Sequence, residues 1–424
     1  MRVCLAIPYF PPELGAASVR AKSMLSAFEK AGHEVVIVTP KPSYFLEHQN
    51  YGHGENRYWR PSDSEGLGSK KIQVHHTLLP LRAGGDGLGT RLILELFASF
   101  LAVPAVTKAA RGCDLVFTSS PPLTYALASA VAGRLARAKV AVEVRDVWPD
   151  IIFSALVEER SRAPLVRGLG FIGRLLSHVL YKLAFVVVCV TRSDTRRLSG
   201  SLGNKKPVLY APNGADEEAI AAGELLPHFD SNRKKRSRFK IAYAGRLGPA
   251  QKVSTLLEAA SRIEYPMEIT IIGSGPERQT VQRIANQQRR HLVSLLDPLP
   301  RKKVLEILAE QDAIYVPLAS KSIVSSVPSK LFEAWALGIP VVVAAAGEAA
   351  QIVNEVAGGV VAMPDNPHSI ARAIEALCTD LDVASKMGAN GRNSVLQKFC
   401  RDKIMAELVR TLTEAVAAAD AHPT

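Results

Sequence analysis

Several short stretches of this sequence combine glycine with a cation or a carboxylate in ways that suit phosphate or hydroxyl binding. Gly15-Ala16 closes the turn-rich loop PYFPPELGAAS just before a helical pattern, so a ligand can approach backbone amides closely there. Gly245-Arg246-Leu247-Gly248 places an always-charged guanidinium fork in a flexible turn at a strand end, and Lys252 lies one turn further on. Gly273-Ser274-Gly275-Pro276-Glu277 again follows a strand and opens a helix. Pro328-Ser329-Lys330 offers the amides of a helix N-terminus. Glu333, one turn later, is a carboxylate that can accept from a ribose diol, and it sits in an otherwise apolar helix where an acid needs partners. Arg145 and Asp146 close another strand. Each also has a plainer reading as a tight turn, a solvated cation, a surface carboxylate or an ion pair at a strand end.

The elements that would position these groups alternate strand and helix, which predicts an α/β chain with parallel sheets. Arg2–Ile7, Glu34–Val38, Leu115–Thr118, Val140–Val144 and Phe185–Val190 read as strands separated by helical spacing. A second winding follows, with strands at Lys240–Ala244, Met267–Ile272, Ala313–Val316 and Val341–Ala344. Between them LPHFDSNRKKRSRFK has no apolar period and a dense basic run, as a linker does. The expected organisation is a Rossmann-like domain over residues 1–224, a linker over 225–239, a second Rossmann-like domain over 240–400 and a closing helix in 401–424 that packs back on the first. In such doubly wound sheets ligands bind at the carboxyl ends of the strands, where the glycine loops fall.

The 424 residues exceed one ordinary core and match two. Hydrophobic residues at 47% and charged residues at 22% fit a globular enzyme, and 6% aromatics argue against a stacking platform for single-stranded nucleic acid. A net charge of +12 calls for an anionic partner: nucleotide phosphate, acidic lipid or nucleic acid. The basic clusters at Arg233–Arg238 and Gln288–His291 carry no interleaved aromatics, so no nucleic acid is expected. Five cysteines without CxxC or Cys/His spacing predict neither zinc nor disulfides and suit a reducing, cytoplasmic compartment. The N-terminus runs straight into a strand, so no secretion is expected. Charges and Pro104 interrupt the most apolar windows, which fall short of the roughly 20 clean residues that span a bilayer.

Taken together, the loops resemble family 4 glycosyltransferases of the GT-B fold over nearly the whole chain. The resemblance implies that Gly245, Arg246 and the region of Lys252 bind the diphosphate of a nucleotide-sugar donor, although the usual lysine position falls on Gln251. It further implies that GSGPE lies near the nucleotide, and that APNGAD, Ala211–Asp216, is the turn ahead of the linker. Of the family's two glutamates separated by seven residues, the second matches Glu333 and is assigned to the ribose hydroxyls, while the first falls on Ser325. SSPP at Ser119–Pro122 and EVRDVWPD at Glu143–Asp150 look like a branch that builds bacterial surface polysaccharides on lipid carriers, with Arg145 and Asp146 toward the acceptor. The implied reaction uses no cofactor or metal, retains anomeric configuration, and moves a sugar from a nucleotide diphosphate sugar to a glycan or polyprenyl-linked acceptor; a UDP-sugar is the favoured donor, with uracil or guanine as the base left open. No DxD-like pair stands at a strand end, in line with that. A sugar-nucleotide 2-epimerase shares the architecture, but the acid/base cluster it needs is not found.

Leu165–Lys182 (LVRGLGFIGRLLSHVLYK) sets Arg167, Arg174, His178 and Lys182 against a row of large apolar residues at helical spacing. This is either a domain helix with its apolar face on the sheet, or an interfacial helix in an anionic leaflet that would make the protein peripheral on the inner membrane face. Leu92–Phe100, flanked by Arg82 and Arg91, offers a second such surface.

Overall fold

The computed structural model describes residues 1–40, 72–77, 88–147, 164–224 and 237–421, apart from positions 12, 14, 204, 205 and 322. Residues 225–236 of the expected linker, Trp148–Asp150 and Arg82 lie outside the described residues. In chain order the elements are β1 (Arg2–Ala6), α1 (Ala16–Lys30), β2 (Glu34–Pro40), β3 (Ile72–Thr77), α2 (Leu88–Ala110), β4 (Leu115–Ser120), α3 (Leu123–Leu135), β5 (Lys139–Val144), α4 (Pro164–Leu183), β6 (Val186–Cys189), α5 (Arg192–Leu202) and β7 (Val208–Tyr210). There follow α6 (Glu217–Glu224), β8 (Phe239–Ala244), α7 (Ser254–Ala260), β9 (Met267–Ile272), α8 (Arg278–Ala285), β10 (Leu292–Leu296), α9 (Arg301–Ala309), β11 (Ala313–Pro317), α10 (Ser329–Ala336), β12 (Val341–Ala344), α11 (Gly347–Val356), β13 (Gly359–Ala362), α12 (Pro367–Thr379), α13 (Leu381–Ser394) and α14 (Arg401–Ala421).

The chain divides into two compact units: a first in which the run up to Pro212 is joined by Asp402–Thr424, and a second centred on Asn213–Arg401. The first holds a seven-stranded sheet in the order β3-β2-β1-β4-β5-β6-β7, the second a six-stranded sheet in the order β10-β9-β8-β11-β12-β13. Every pairing is parallel. Both sheets reverse direction of winding at one place, between β1 and β4 and between β8 and β11, and a doubly wound sheet opens its ligand crevice there.

Successive strand residues point to opposite faces, so both sheets are covered twice. In the first unit Leu5 and Ile37 face α1 and α14, meeting Met24, Phe28, Met405 and Leu412. Cys4, Ala6 and Val38 face α2 and α3, and Val140 and Val142 face α3 and α4. In the second unit the helices α6, α9, α10 and α11 bury Leu305, Trp335 and Ile352 against Ile314 and Val341. The boundary expected at residue 224 therefore moves to Asn213, because α6 buries Ala219 in the second core and Gly223 against the backbone of Ala336.

One helix departs from ordinary amphipathic packing. On α4 the small residues Gly170, Gly173 and Ser177 turn inward, while Leu169, Phe171, Ile172, Leu175 and Val179 are exposed. The expectation of an apolar face on the sheet thus holds only for the end of the helix, where Leu180 and Tyr181 are buried.

The far end of the chain is integral to the first core. Leu412 on α14 is fully buried among residues of α1 and the sheet. Leu412→Ala is expected to destabilise that unit by about 2–5 kcal/mol, read as a fall in its urea midpoint with the slope of the transition unchanged.

Candidate active site

The carboxyl end of β8 runs into Gly245, whose φ of 147° is open only to glycine. Its amide donates to Ile272 O (2.9 Å), and Leu247 N donates to Ser274 O (2.8 Å), so the GRLG loop is laced to the GSGPE loop after β9. The two backbones are in contact. A Cβ on Gly273 would stand 1.9 Å from Gly245 O, and one on Gly275 would stand 2.3 Å from Leu247 O. Pro276 carries the chain into the turn that Glu277 ends at the start of α8, where Glu277 N donates to Leu247 O at 3.0 Å. Burial raises the Glu277 carboxyl, with Lys252 lowering it and Asp365 raising it.

Lys330 enters the same corner from the first turn of α10, which no side chain caps. Its Nζ lies 4.1 Å from the Tyr243 ring centroid and beside Gly245, and Tyr243 in turn donates its hydroxyl to Arg246 O at 2.6 Å. Burial lowers the Lys330 ammonium to about 8, against the opposing pull of Glu333. A buried cation resting on an aromatic face is poised for an anion. Arg246 is exposed in the loop above. Lys252, expected to join the diphosphate site, is paired with Asp365: its Nζ meets Oδ2 at 2.6 Å. Ser329 starts α10 after Pro328, and Ser325 is half-buried in the preceding loop.

Glu333 has the partners that its apolar helix demands. Arg301 Nη1 donates to it at 3.1 Å, and Arg301 Nη2 donates to both oxygens of Asp216 at 2.8 Å. Asp216 also accepts from Arg401 Nη1 at 3.1 Å and from the Ala219 amide at 3.1 Å. Burial pushes the Asp216 carboxyl up, but Arg301, Arg401 and the amide outweigh it and hold the acid below its ordinary value. Arg401, 2% exposed, donates further to the carbonyls of Asn213 and Gly214 at 2.8 Å, stitching the start of this unit to its end. Sequence reading missed Arg301 and Arg401. The signal was Asp216 in the APNGAD turn, an acid that requires cations once it is buried.

In the first unit the loop after β1 leads to Gly15, the N-cap of α1, with φ 117° and no capping side chain. The first amides of α1 after Ala16 are left to other partners. Beneath this turn Arg20, 3% exposed, donates from Nε to Glu143 Oε1 at 2.8 Å and from its terminal nitrogens to Pro212 O and Ala211 O at 2.8 Å. Ser119 Oγ donates to the other Glu143 oxygen at 3.1 Å. Arg20, Ser119, Glu143 and Arg145 line one recess with Ala17 and Tyr9. Arg145 Nη2 donates to Pro121 O at 2.7 Å. Burial raises the Asp146 carboxyl to about 6, with Arg145 lowering it and Asp194 raising it. The Arg20–Glu143 pair went unseen in the sequence, although Arg20 falls on the buried side of α1 with Met24 and Ala27.

Two family models match. Residues 15–214 match the "Glycosyl transferase 4-like domain" and residues 227–394 match "Glycosyl transferases group 1". A probable glycosyltransferase of Pseudomonas aeruginosa, WbjE, is 23% identical over 331 residues, 77% of this chain and 80% of that one. A GDP-mannose-dependent phosphatidylinositol monomannoside mannosyltransferase of Mycolicibacterium smegmatis is 26% identical over 249 residues, 55% of this chain and 64% of the other. Among solved structures, HepE of Anabaena in complex with UDP and glucose superimposes with a TM-score of 0.68 at 16% identity, covering 98% of this chain and 100% of that one. The two models together span most of the sequence, and the chain belongs to the group 1 glycosyl transferases, with the GT-B fold.

The Lys330 environment has a thermodynamic signature. The folded protein holds the Lys330 proton less tightly than the unfolded chain does, so stability is expected to rise with pH between about 8 and the ordinary value of 10.5. Lys330→Met removes that slope and leaves stability near neutral pH unchanged or higher, since the desolvation cost of the ammonium is lost. Urea titrations at about pH 8 and about pH 10 read both effects.

Proposed function

We propose that this glycosyltransferase moves a sugar from a nucleoside diphosphate sugar to a glycan or polyprenyl-linked acceptor in surface-polysaccharide assembly, with retention of anomeric configuration and without a metal. The observation that carries the donor half is Lys330, an ammonium buried against Tyr243 beside two glycine loops and an uncapped helix start. Such a corner suits a diphosphate, whose charge grows as the bond to the sugar breaks. Support for the donor class comes from relatives named as GDP-mannose-dependent and from HepE, solved with UDP and with UDP-glucose. We favour UDP.

In this reading Arg246 forks onto the diphosphate, Lys330 neutralises the leaving oxygen, and Glu333, held by Arg301, accepts from the ribose diol. The loop backbone at Gly273, Gly275 and Glu277 lies toward the nucleotide. The bond from anomeric carbon to diphosphate oxygen breaks, the acceptor oxygen bonds to the same face, and its proton passes to the departing phosphate. Asp146 orients the incoming acceptor hydroxyl by accepting its hydrogen bond before that proton turns to the departing phosphate, Arg145 sits beside it, and the amides after Gly15 and Ala16 serve the donor.

Two outcomes test this reading. Arg246→Ala is expected to weaken UDP by about 1.5–3 kcal/mol in calorimetry while uridine binds as before. In the same assay Glu333→Gln loses affinity for UDP but little for 2′-deoxy-UDP. Unchanged UDP binding in Arg246→Ala removes that residue from the site.

A pH profile tests the acceptor half. Because ionised Asp146 is the form that accepts, kcat/KM is expected to climb through an apparent pKa of about 6. Asp146→Asn flattens that limb and lowers the rate about a hundredfold or more. Asp146→Asn also raises stability above that pH, because the folded protein binds the Asp146 proton more tightly than the unfolded chain and ionising the acid in place is costly.

A further inference from the structure

The second unit opens on the turn Asn213–Asp216, and both ends of that turn reach the start of α10. At one end Asn213 Nδ2 donates to Val327 O at 2.9 Å. Val327 is buried and stands one residue before Pro328, where the chain swings into α10 with Ser329 and Lys330 in its first turn. At the other end Asp216 accepts from Arg301 with both oxygens, and Arg301 donates onward to Glu333. Lys330 and Glu333 lie three residues apart on one helix, so a single short turn holds the chain before the cation and the acid after it.

The turn is itself anchored. Ala215 N donates to Phe399 O at 2.8 Å, Arg401 N donates back to Ala215 O at 2.7 Å, and the Arg401 guanidinium takes the carbonyls of Asn213 and Gly214. Burial along the network is graded: the side chains of Arg401 and Asp216 are 2% and 12% exposed, against 28% for Arg301 and 19% for Glu333. One end is sealed in the unit, and the other opens at the donor corner. The Arg301 guanidinium meets three acids there, Asp216, Glu218 and Glu333, and contacts on several edges fix the plane of such a fork. A charged network needs no open end to hold a fold, but it needs one to aim a carboxylate at a ligand. We infer that Asn213, Asp216 and Arg301 are positioning residues of the donor site. Asn213 sets the approach of the chain to Lys330 and the first amides of α10, and Asp216, through Arg301, aims the Glu333 carboxylate at the ribose diol. The roles of Lys330 and Glu333 rest on the donor reading above; what is added is that both are set from the Asn213–Asp216 turn.

Calorimetry of the full chain with UDP, 2′-deoxy-UDP and uridine separates the two arms. Arg301→Lys keeps the charge but puts one ammonium where a fork bridged several acids. It is expected to weaken UDP about tenfold and 2′-deoxy-UDP by less than about twofold, so that the ribose preference of the wild type collapses. Arg301→Lys/Glu333→Gln should bind UDP no more weakly than Glu333→Gln alone, since Arg301 acts through that acid. Asn213→Ala gives the opposite pattern: UDP and 2′-deoxy-UDP weaken together, about threefold or more, while uridine binds as before. A purely structural role would weaken all three ligands alike in both variants and add to the loss in Glu333→Gln. That result overturns the inference, and so does an intact ribose preference in Arg301→Lys where Glu333→Gln abolishes it. If wild type binds no UDP, or Glu333→Gln keeps the ribose preference, the donor reading itself falls and the inference with it. Asn213→Ala leaves Asp216 and both guanidiniums in place, so it decides the matter even where Arg301→Lys fails to fold: uridine weakened as much as UDP overturns the inference.

Discussion

Where β8 and β9 end, the carbonyl oxygens of Gly245 and Leu247 fill the space that a side chain on Gly273 or Gly275 would occupy. Two loops that meet backbone to backbone satisfy part of each other's polar groups, through Gly245 N to Ile272 O and Leu247 N to Ser274 O. They form a floor rather than two independent flaps. The floor fixes Arg246, whose carbonyl takes the Tyr243 hydroxyl, and Tyr243 presents its ring to Lys330. A change at either glycine would therefore be felt at the cation two residues or a strand away, although neither glycine has chemistry of its own.

Among the described residues, the buried Arg20, Glu143, Asp216 and Arg401 hold structure, and half-buried Lys330 is placed differently. Arg20 and Glu143 satisfy each other and spend their remaining donors and acceptors on Ser119 and two carbonyls. Asp216 takes two guanidiniums and an amide, and one of those guanidiniums goes on to Glu333. Removing one member of such a set strands the others, which is costly, yet the complete set adds little over an apolar replacement. What a complete set does supply is direction. Glu333 is held by a residue on another helix that is itself fixed at Asp216, so its orientation does not depend on its own rotamer. Among the described residues no carboxylate is held against Lys330 in this way, and burial lowers its ammonium against the weaker pull of Glu333.

Legibility in the sequence followed burial. The nine interior strands of the two sheets, from β1 to β12, are the runs that apolar continuity marks, because a central parallel strand is covered on both faces. β3, β7, β10 and β13 are the four edges, and they were not read as strands. IQVHHT breaks its apolar run with Gln73, His75 and His76, LVSLL exposes Ser294 on an edge, and VLY is too short to show a period. Loop glycines were legible for the same kind of reason, since a required positive φ leaves few alternatives. Side-chain partners were not. Nothing near Lys252 foretells Asp365, 113 residues later, and nothing near Arg301 foretells Asp216, 85 residues earlier. The helical period of α4 was legible, but period alone does not say which side turns inward. That was decided by Gly170, Gly173 and Ser177, whose small size lets the neighbouring elements approach.

The two helical layers on the first unit's sheet make a further comparison possible, because the fold asks the same of both. Each must bury one side against parallel strands, and each does. On the α1 and α14 side the outward residues are those of an ordinary soluble surface. Asp402 pairs with Lys30 at 3.3 Å, Asp420 pairs with Lys139, and Arg410 bridges Glu407 and Glu414 within α14. On the α2, α3 and α4 side Glu95 is the one acid that the three helices carry, and large apolar groups are exposed. Core packing cannot produce this difference, since it constrains only the inward faces, and helix propensity favours glutamate as much as leucine at exposed positions. Whatever keeps carboxylates sparse on one outer face and plentiful on the other acts from outside the fold, on the side where the cations are.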